Sequence, residues 1–314
     1  MKIVVIGSRG TLGMALADFW NDPRVEARIA ANLGRDPVVS NDEIFPLNLP
    51  DFDVCSRMLA IDAITELEPD VVVNASGINL VDWLEPRGNT AMNVHVHAVA
   101  NLKTAVERAG ALLVQFGCGE VFYRESLSDV PPDFPGFSES DEPNPASVYA
   151  KTKLESERVA REASDHLVLR LSSLFGETSE YSSGNLVASL INSLSRTTKI
   201  SVLSDRVMEP LWSIDVLCAL KTLLARGVRG LCHLSGGSRA TPKEVAERFF
   251  WETGHRKREV VGISSKDYGE VAPRSAFTVL RSETLGSTEG VYRIPDWRTA
   301  LRDYLDWRQG GSIF

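Results

Sequence analysis

The sequence has few cysteines, few histidines and no long apolar run, and each shortage excludes a class of protein. The cysteines show no Cys-x-x-Cys spacing, and a chain of 314 residues buries enough apolar surface to fold without disulfides. No apolar stretch approaches the roughly 18 residues of a membrane span, and the first strand is predicted to begin at residue 2. We therefore expect a soluble, cytoplasmic protein with reduced thiols at Cys55, Cys118, Cys218 and Cys232.

Basic residues are in deficit as well, because 34 Lys and Arg against 42 Asp and Glu give a net charge of −8. This balance excludes nucleic acid and an anionic membrane as general partners. His95 and His97 stand two residues apart on a predicted helix, so they face different directions and are poorly placed to share a metal ion. No metal site is expected from the sequence.

A glycine motif, Gly7-Ser-Arg-Gly-Thr-Leu-Gly13, begins directly after the apolar run Lys2–Ile6. The residues that follow are apolar at helical spacing, so the motif lies between a strand and a helix. In that context the three glycines permit a tight turn, close approach of a pyrophosphate to the backbone, and packing of helix on strand. The positive end of the helix then attracts phosphate. The motif predicts a dinucleotide site at Gly7, Arg9, Gly10, Thr11, Leu12 and Gly13.

A second motif, Tyr149-Ala-Lys-Thr-Lys153, falls at the start of a predicted helix over residues 149–162. Residues four apart share one helix face, so the Lys153 ammonium can approach the Tyr149 phenol and favour its ionised form. Beside a nicotinamide ring, Tyr149 could protonate a ketone oxygen as hydride arrives at the carbon, while Lys153 hydrogen-bonds the nicotinamide ribose. Either motif alone is weak evidence, and their combination predicts a nicotinamide-dependent enzyme.

Strand and helix patterns alternate along the chain, which predicts an α/β fold with a Rossmann-type, doubly wound parallel sheet. Strands are expected at residues 2–6, 25–31, 70–74, 111–116, 166–171, 200–203 and 230–234. Helices are expected after the glycine motif and at residues 53–67, 91–109, 149–162, 184–195, 214–224 and 242–252. We expect an NAD(P)-binding domain over residues 1–171. Residues 172–314 are expected to form mainly a smaller C-terminal substrate-binding lobe, with some segments returning to the sheet.

At this point the sequence resembles the extended short-chain dehydrogenase/reductases, and among them the dTDP-4-dehydrorhamnose reductase-like sugar-nucleotide 4-ketoreductases. The resemblance runs nearly end to end. It is carried by the two motifs and by Pro69–Ser76, Val81-Asp82, Asn93, Asn101-Leu102, Val121-Phe122, Asn144-Pro145, Arg170, Gly176, Pro210, Asp215, His233–Gly236 and Ile294–Trp297.

The resemblance implies NADPH-dependent reduction of a nucleotide-linked 4-keto-6-deoxysugar, with Tyr149 as the proton donor. It places Asn74, Ala75, Ser76 and Asn93 beside the cofactor, in addition to the glycine motif, Tyr149 and Lys153. Expected substrate contacts are Val81, Asp82, Glu120, Trp212 and Arg274, with Trp83 as a further candidate. Dimers are common in this family, so the resemblance also allows a homodimer.

Three positions depart from the family pattern. Cys118 stands where the family has the hydroxyl that polarises the reacting carbonyl, and a thiol is a weaker donor. We therefore count Cys118 as a catalytic candidate, with a passive buried thiol as the alternative. Gly119 replaces an acid that the related 4,6-dehydratases need for water elimination, which disfavours dehydration. Ser173 replaces a tryptophan near the sugar, which leaves the substrate open.

The residues at the predicted end of the second strand bear on the choice of cofactor. NAD-binding chains usually carry an acid there for the ribose 2′-hydroxyl, whereas this sequence reads Ile29-Ala-Ala-Asn-Leu-Gly-Arg35. With Arg9 in the glycine turn, Arg35 would favour a 2′-phosphate and hence NADPH, with NADH as the alternative.

Two other functions stay open at the level of sequence. One is a non-catalytic dinucleotide-binding regulator that resembles the regulatory subunit of methionine adenosyltransferase; Tyr149 and Lys153 argue against it, and Cys118 and Gly119 argue mildly for it. The other is an epimerase, or a reductase of a different ketone.

Overall fold

The structure is a computed structural model that describes residues 1–38, 40–180, 184–195 and 198–310. Its centre is a parallel sheet of six strands in the order β2-β1-β3-β4-β5-β9. Two smaller parallel pairs, β6 with β8 and β7 with β10, lie outside it. The strands are β1 (Lys2–Ile6), β2 (Glu43–Leu47), β3 (Val71–Asn74), β4 (Leu112–Cys118), β5 (His166–Leu171), β6 (Ser173–Phe175), β7 (Lys199–Leu203), β8 (Pro210–Trp212), β9 (Gly230–His233) and β10 (Glu259–Ile263).

Helices cover both faces of the central sheet. A π-helical turn, Met92–His97, leads into the sixth α-helix, and short 3₁₀ turns occur at Gly119–Val121 and Leu127–Asp129. The α-helices are α1 (Thr11–Asp18), α2 (Pro23–Leu33), α3 (Arg57–Leu67), α4 (Val81–Leu84), α5 (Gly88–Ala91), α6 (Ala98–Ala109), α7 (Val148–Arg161), α8 (Leu186–Ser193), α9 (Ser213–Ala225), α10 (Pro242–Glu252), α11 (Ser265–Tyr268), α12 (Glu283–Ser287) and α13 (Trp297–Arg308).

The core forms two layers because successive strand residues face opposite sides of the sheet. In β1, Ile3 and Val5 pack with α1, α2, α9 and α13, whereas Val4 and Ile6 pack with α3, α6 and α7. These four side chains of β1 are fully buried or nearly so, as expected for a parallel sheet covered on both faces. The predicted doubly wound α/β fold is confirmed. β9, from the second half of the chain, pairs with β5 in the main sheet.

The prediction of a second strand at residues 25–31 is wrong. The segment is the middle of α2, which begins after the N-cap Asp22 with Pro23 in its first turn and ends at Gly34 in the left-handed conformation. Val25 and Ile29 are buried four residues apart, which is helical spacing. The true second strand is β2, a strand at the edge of the sheet that tolerates Pro46 because an edge strand leaves one row of N–H groups unpaired.

The remaining predicted strands and helices exist with shifts at their ends, whereas the strands β2, β6, β8 and β10 were not predicted. β10 pairs in parallel with β7, which gives the second half of the chain a small sheet of its own. The division of the chain at residue 171 stays a prediction. Within the described residues, no helix is both long and apolar enough to cross a membrane.

Candidate active site

A cavity of about 760 Å³ opens at the carboxyl edge of the central sheet, where open α/β sheets bind their ligands. The ends of β3, β4 and β5 reach it, together with the start of α1 and one face of α7. We call one region the glycine end, lined by Gly10, Thr11, Leu12, Asn74, Ala75 and Ser76. The other region is the arginine end, lined by Glu120, Ser173, Arg206, Arg274, Ser275 and Thr278.

The glycine end is shaped by close approaches of the backbone. Gly7 has a φ of +78°, and a Cβ there would lie 2.7 Å from the backbone of Ser76. A Cβ on Gly13 would overlap the carbonyl oxygen of Gly7, so only glycine allows α1 to pack against the turn. Gly10 is the N-cap of α1 and offers no side-chain cap. The first turn of α1 therefore presents backbone N–H groups at a site that fits a phosphate.

Arg9 and Arg35 lie in different places. The Arg9 side chain donates a 2.8 Å hydrogen bond to the carbonyl of Leu49, just beyond the end of β2. Arg35 is exposed after α2, so the argument that placed it at the end of the second strand is wrong. The residue that does follow β2 is Asn48, whose Oδ1 accepts the Arg9 backbone N–H at 3.1 Å. An amide therefore stands where NAD-binding chains usually carry an acid.

Asn74 closes the turn after β3. Its Nδ2 donates to Oε1 of Gln115 at 2.7 Å, and its Oδ1 accepts the backbone N–H of Ser76 at 3.1 Å. These bonds hold Ala75 and Ser76 against the glycine turn, where both line the cavity. Asn93 is exposed on the π-helical turn and does not line the cavity.

Tyr149 and Lys153 are on the first two turns of α7, which begins at the N-cap Ser147. Both line the cavity between its two ends. Lys153 is only 9% exposed and its Nζ donates a 2.6 Å hydrogen bond to the carbonyl of Phe116, which joins α7 to β4. Burial lowers the pKa of Lys153, whereas the neighbouring Cys118 and Glu157 raise it.

The environment keeps the Tyr149 phenol protonated. Burial raises the pKa of Tyr149 well above its ordinary value, and Cys118 and Glu120 raise it further. The sequence argument that Lys153 would favour the ionised phenol is therefore not met in this structure, because burial and the neighbouring acidic groups all raise this pKa. A protonated phenol is the form that can donate a proton to a ketone oxygen.

Cys118 is the last residue of β4, lines the cavity and lies close enough to Tyr149 to raise the pKa of its phenol. Burial raises the pKa of its thiol to about 12, so the sulfur is a neutral S–H group rather than a thiolate nucleophile. The catalytic role of Cys118 stays a prediction.

His95 was not identified from the sequence as a site residue, yet it lines the cavity beside Tyr149, with ring centroids 5.6 Å apart. Its Nδ1 lies 2.9 Å from Oγ1 of Thr152, and its Nε2 lies 3.1 Å from the carbonyl of Ile78. Burial and the charge of Lys153 lower the pKa of His95 to about 3. His95 is therefore neutral, and it braces the Tyr149 ring against the loop after β3.

The arginine end is built from ion pairs between distant parts of the chain. Arg274 donates to Oδ2 of Asp82 at 2.7 Å and lies 3.4 Å from Oε1 of Glu270. Arg206 pairs with both oxygens of the same Glu270. Glu120 accepts the backbone N–H of Ser275 at 3.1 Å. Two guanidinium groups thus face the cavity, each already oriented by a carboxylate.

Not every predicted substrate contact lies in the cavity. Val81, Glu120 and Arg274 line it, and Asp82 acts through Arg274. Trp212 is 2% exposed and packs edge-on against Tyr304 and Trp307 in the core, so the structure does not bring it into the site. Trp83 is 42% exposed and does not line the cavity.

The sequence analysis missed Asn48, His95, Arg206 and Glu270. Arg206 could have been identified, because it follows a predicted strand and ligands of α/β folds bind beyond the ends of strands. Glu270 had none, since it lies in a loop far along the chain. Among the residues that the structure describes, no group of three or more His, Cys, Asp or Glu is placed to hold a metal ion.

The fold and the Tyr149–Lys153 pair define an oxidoreductase of the extended short-chain dehydrogenase/reductase class. The chain belongs to the family of the RmlD substrate binding domain, whose model matches residues 1–309.

Named relatives span almost the whole chain. It is 28% identical over 313 residues to the dTDP-4-dehydrorhamnose reductase of Sinorhizobium fredii, with 96% of each chain covered. It is also 28% identical over 331 residues to methionine adenosyltransferase 2 subunit beta of Danio rerio, covering 98% of this chain and 93% of the relative.

Solved structures agree in fold. A dTDP-4-dehydrorhamnose reductase from Clostridium acetobutylicum superposes with a TM-score of 0.84 at 24% identity, over 98% of this chain and 100% of the other. The Bacillus anthracis dTDP-4-dehydrorhamnose reductase, solved in complex with NADP, gives a TM-score of 0.82 at 20% identity, over 97% and 98% of the two chains.

Proposed function

We propose that this protein is an NADPH-dependent reductase of a nucleotide-linked 4-keto-6-deoxysugar, with Tyr149 as the proton donor. The observation that carries the proposal is the meeting of three groups where the glycine end joins the arginine end. Tyr149, Lys153 and Cys118 lie there together, between a phosphate-binding turn and two oriented arginines. A ketone held at this point would have a proton donor on one side and a dinucleotide on the other.

The glycine end fits a nicotinamide dinucleotide. The backbone N–H groups in the first turn of α1, at Thr11 and Leu12, would hold the pyrophosphate, and Ala75 and Ser76 would line the adjoining part of the groove. When bound, the cofactor supplies the hydride. The structure of a relative in complex with NADP supports this class of cofactor.

We favour NADPH over NADH because the residue after β2 is Asn48 and not an acid that would repel a 2′-phosphate. Arg9 is bonded to this same segment and is the nearest candidate for the phosphate contact. Exchange of Arg9 for Gln should weaken NADPH binding and leave NADH binding unchanged. Arg35→Gln, at the exposed position after α2, is the matched control, and equal losses for both cofactors would overturn the assignment.

The proton moves from the Tyr149 hydroxyl to the ketone oxygen. Burial keeps that hydroxyl protonated until the oxygen gains negative charge. Lys153, held to the Phe116 carbonyl, lies one turn along the same helix and stabilises the phenolate that remains. The Cys118 thiol donates weakly toward the same oxygen, in place of a hydroxyl.

The arginine end fits the nucleotide diphosphate of the substrate. Arg206 and Arg274 offer paired N–H groups of fixed geometry, which suit phosphate oxygens. Ser173 and Thr278 line the cavity nearby with hydroxyl groups, where a tryptophan at the first of these positions would have filled the space. The sugar pocket is therefore wider and more polar than the family pattern implies.

A non-catalytic regulatory subunit is the second candidate, because the Danio rerio relative matches as much of the chain as the reductases do. Such a protein would bind the dinucleotide at the glycine end without needing Tyr149. The two functions differ in whether the bound cofactor is turned over.

The deciding experiment mixes the protein with NADPH and dTDP-4-keto-6-deoxyhexose and follows the loss of absorbance of NADPH. We expect oxidation in the wild type and a loss of about 10²–10⁴-fold in Tyr149→Phe, which keeps the ring and removes the proton. NADPH binding, measured by fluorescence, should be unchanged in the variant. Binding without turnover by the wild type, with any nucleotide-linked keto sugar tested, would favour the regulatory subunit instead.

A further inference from the structure

Behind Lys153, one more turn along α7, lies a carboxylate that the proposed mechanism does not use. Glu157 is 1% exposed, and its position four residues after Lys153 and eight after Tyr149 keeps all three within about 80° of arc on one helix face. Tyrosine, lysine and glutamate thus form a line that runs from the cavity into the protein.

The two oxygens of Glu157 have different surroundings. Oε2 accepts hydrogen bonds from Nε and Nη2 of Arg170 on β5, at 2.9 and 2.8 Å. Oε1 is buried and has no hydrogen-bond partner. It lies against Gly117 of β4, where a Cβ would overlap it. Gly117 therefore makes room for a carboxylate oxygen beside the backbone that leads into Cys118.

Two side chains raise the pKa of Lys153 against burial, Cys118 first and then Glu157. The Cys118 thiol is neutral, so Glu157 is the one of the two that can carry a negative charge. From the π-helical turn Lys153 meets His95, which is neutral. Burial disfavours the ammonium, and a nearby carboxylate opposes that loss.

We propose that Glu157 is a positioning residue whose buried carboxylate keeps Lys153 in its charged form, with Arg170 and Gly117 fixing that carboxylate in place. Burial raises the pKa of Glu157, and Arg170 and Lys153 oppose this effect by favouring the carboxylate. Arg170 bonds only Oε2, and Oε1 lies in the gap that Gly117 leaves. The role deepens the proposed reductase function, since the charge on Lys153 is what stabilises the Tyr149 phenolate.

The direct test is a titration of Lys153 by NMR in protein labelled with ¹³C at the lysine Cε, the resonance being assigned by its loss in Lys153→Arg. In Glu157→Gln we expect the titration midpoint of Lys153 to fall by about one to three pH units, the range typical of one close opposite charge. Glu155→Gln, an exposed position on the same helix, is the matched control and should leave the midpoint unchanged. An unchanged midpoint in Glu157→Gln, or an equal fall in Glu155→Gln, overturns the proposal.

Gly117→Ala provides a second variant in case Glu157→Gln does not fold. It keeps Glu157 in the chain, but its methyl group would occupy the place of Oε1 and push the carboxylate away. We expect a fall of the Lys153 midpoint in the same direction, and a midpoint equal to that of the wild type contradicts the proposal.

Activity supplies an independent readout. The alkaline limb of the kcat/KM profile for keto-sugar reduction should move to lower pH in Glu157→Gln, because Lys153 loses its charge earlier. The NMR titration needs neither substrate nor turnover. A wild type that does not oxidise NADPH would therefore count against the reductase function alone, whereas an unmoved Lys153 midpoint would count against Glu157 alone.

Discussion

The glycine end and the arginine end of the cavity are built in different ways. The glycine end consists of backbone segments packed directly against each other, and this packing depends on the absence of side chains at Gly7 and Gly13. The arginine end consists of charged side chains, of which Arg206, Glu270 and Arg274 come from segments that are distant along the chain from the first motif. The glycine end thus tolerates little variation, whereas the arginine end can change one side chain at a time.

The largest effect is expected from a change at the glycine end. In Gly13→Ala the methyl group would overlap the backbone of Gly7 and lie 2.7 Å from Cα of Ser8, so the turn itself must move. We expect NADPH affinity to fall about 100-fold, which corresponds to about 3 kcal/mol of overpacking. Fluorescence titration measures it. Gly286→Ala is the control, because a Cβ there meets open space, and it should bind NADPH as the wild type does. Wild-type NADPH affinity in Gly13→Ala would show that the glycine end does not depend on the absence of this side chain.

The second prediction concerns Glu209, which is fully buried behind the arginine end. Its backbone N–H donates to Oγ of Ser172, a residue that lines the cavity, and its Oε1 accepts the N–H of Gly236 at 2.7 Å. Burial raises the pKa of Glu209 from 4.5 to about 7. The folded state therefore binds the proton more tightly than the unfolded state does. The contribution of Glu209 to the free energy of unfolding is therefore greatest below about pH 4.5, falls as the pH rises to about 7, and is constant above that.

In Glu209→Gln, the free energy of unfolding should no longer fall by about 3 kcal/mol between these two pH values. Urea unfolding at pH 5 and pH 8 measures the difference, with the exposed Glu107→Gln as the control. Equal slopes of stability against pH in the wild type and Glu209→Gln would show that the carboxyl is not titrating in this range.

At the arginine end, Arg206→Met should raise the KM for the nucleotide sugar by roughly 10- to 100-fold, from the ~1.5–3 kcal/mol of a charged hydrogen bond. NADPH affinity and kcat should change little, because the contact is made equally in the ground state and the transition state. Steady-state kinetics with both substrates separates the effects. Arg298→Met, an exposed position on α13, is the control. A change in NADPH affinity as large as the change in KM would mean that the two ends are not independent.

The smallest effect is expected where the two ends meet. Cys118→Ser replaces a weak donor with a hydroxyl, and we expect kcat to rise about 2- to 10-fold, from the ~0.5–1.5 kcal/mol of a neutral hydrogen bond. Cys232→Ser, at a buried thiol that does not line the cavity, serves as the control for folding. No change, or a fall, in kcat for Cys118→Ser would identify the thiol as a passive neighbour of Tyr149.

Much of the glycine end could be predicted because its requirements are local. The turn between β1 and α1 needs glycine at fixed spacing, and Tyr149 and Lys153 share a helix face whatever else the chain does. The prediction for residues 25–31 failed because Val25 and Ile29 fit a strand by composition, while the cap at Asp22 and the stop at Gly34 mark a helix. Because of this error, Arg35 was predicted at the end of the second strand, whereas it follows α2.

The arginine end could be predicted only in part. Arg274 and Asp82 were identified separately, but their 2.7 Å contact joins α4 to a loop 192 residues away along the chain. The partnership of Arg206 with Glu270 has no signature at short range. Trp212 is the opposite case, because it was expected to contact the substrate but is buried in the hydrophobic core.

The parallel sheet, the glycine turn and the Tyr149–Lys153 pair could be predicted from the sequence, since each depends on spacing within one or two neighbouring elements. Folding was needed to bring Cys118 beside Tyr149, Glu157 into the gap at Gly117, and two arginines to the wall of the cavity. The physical reason is that burial and charge at a site are summed over side chains from many segments, and their proximity exists only once the chain has folded.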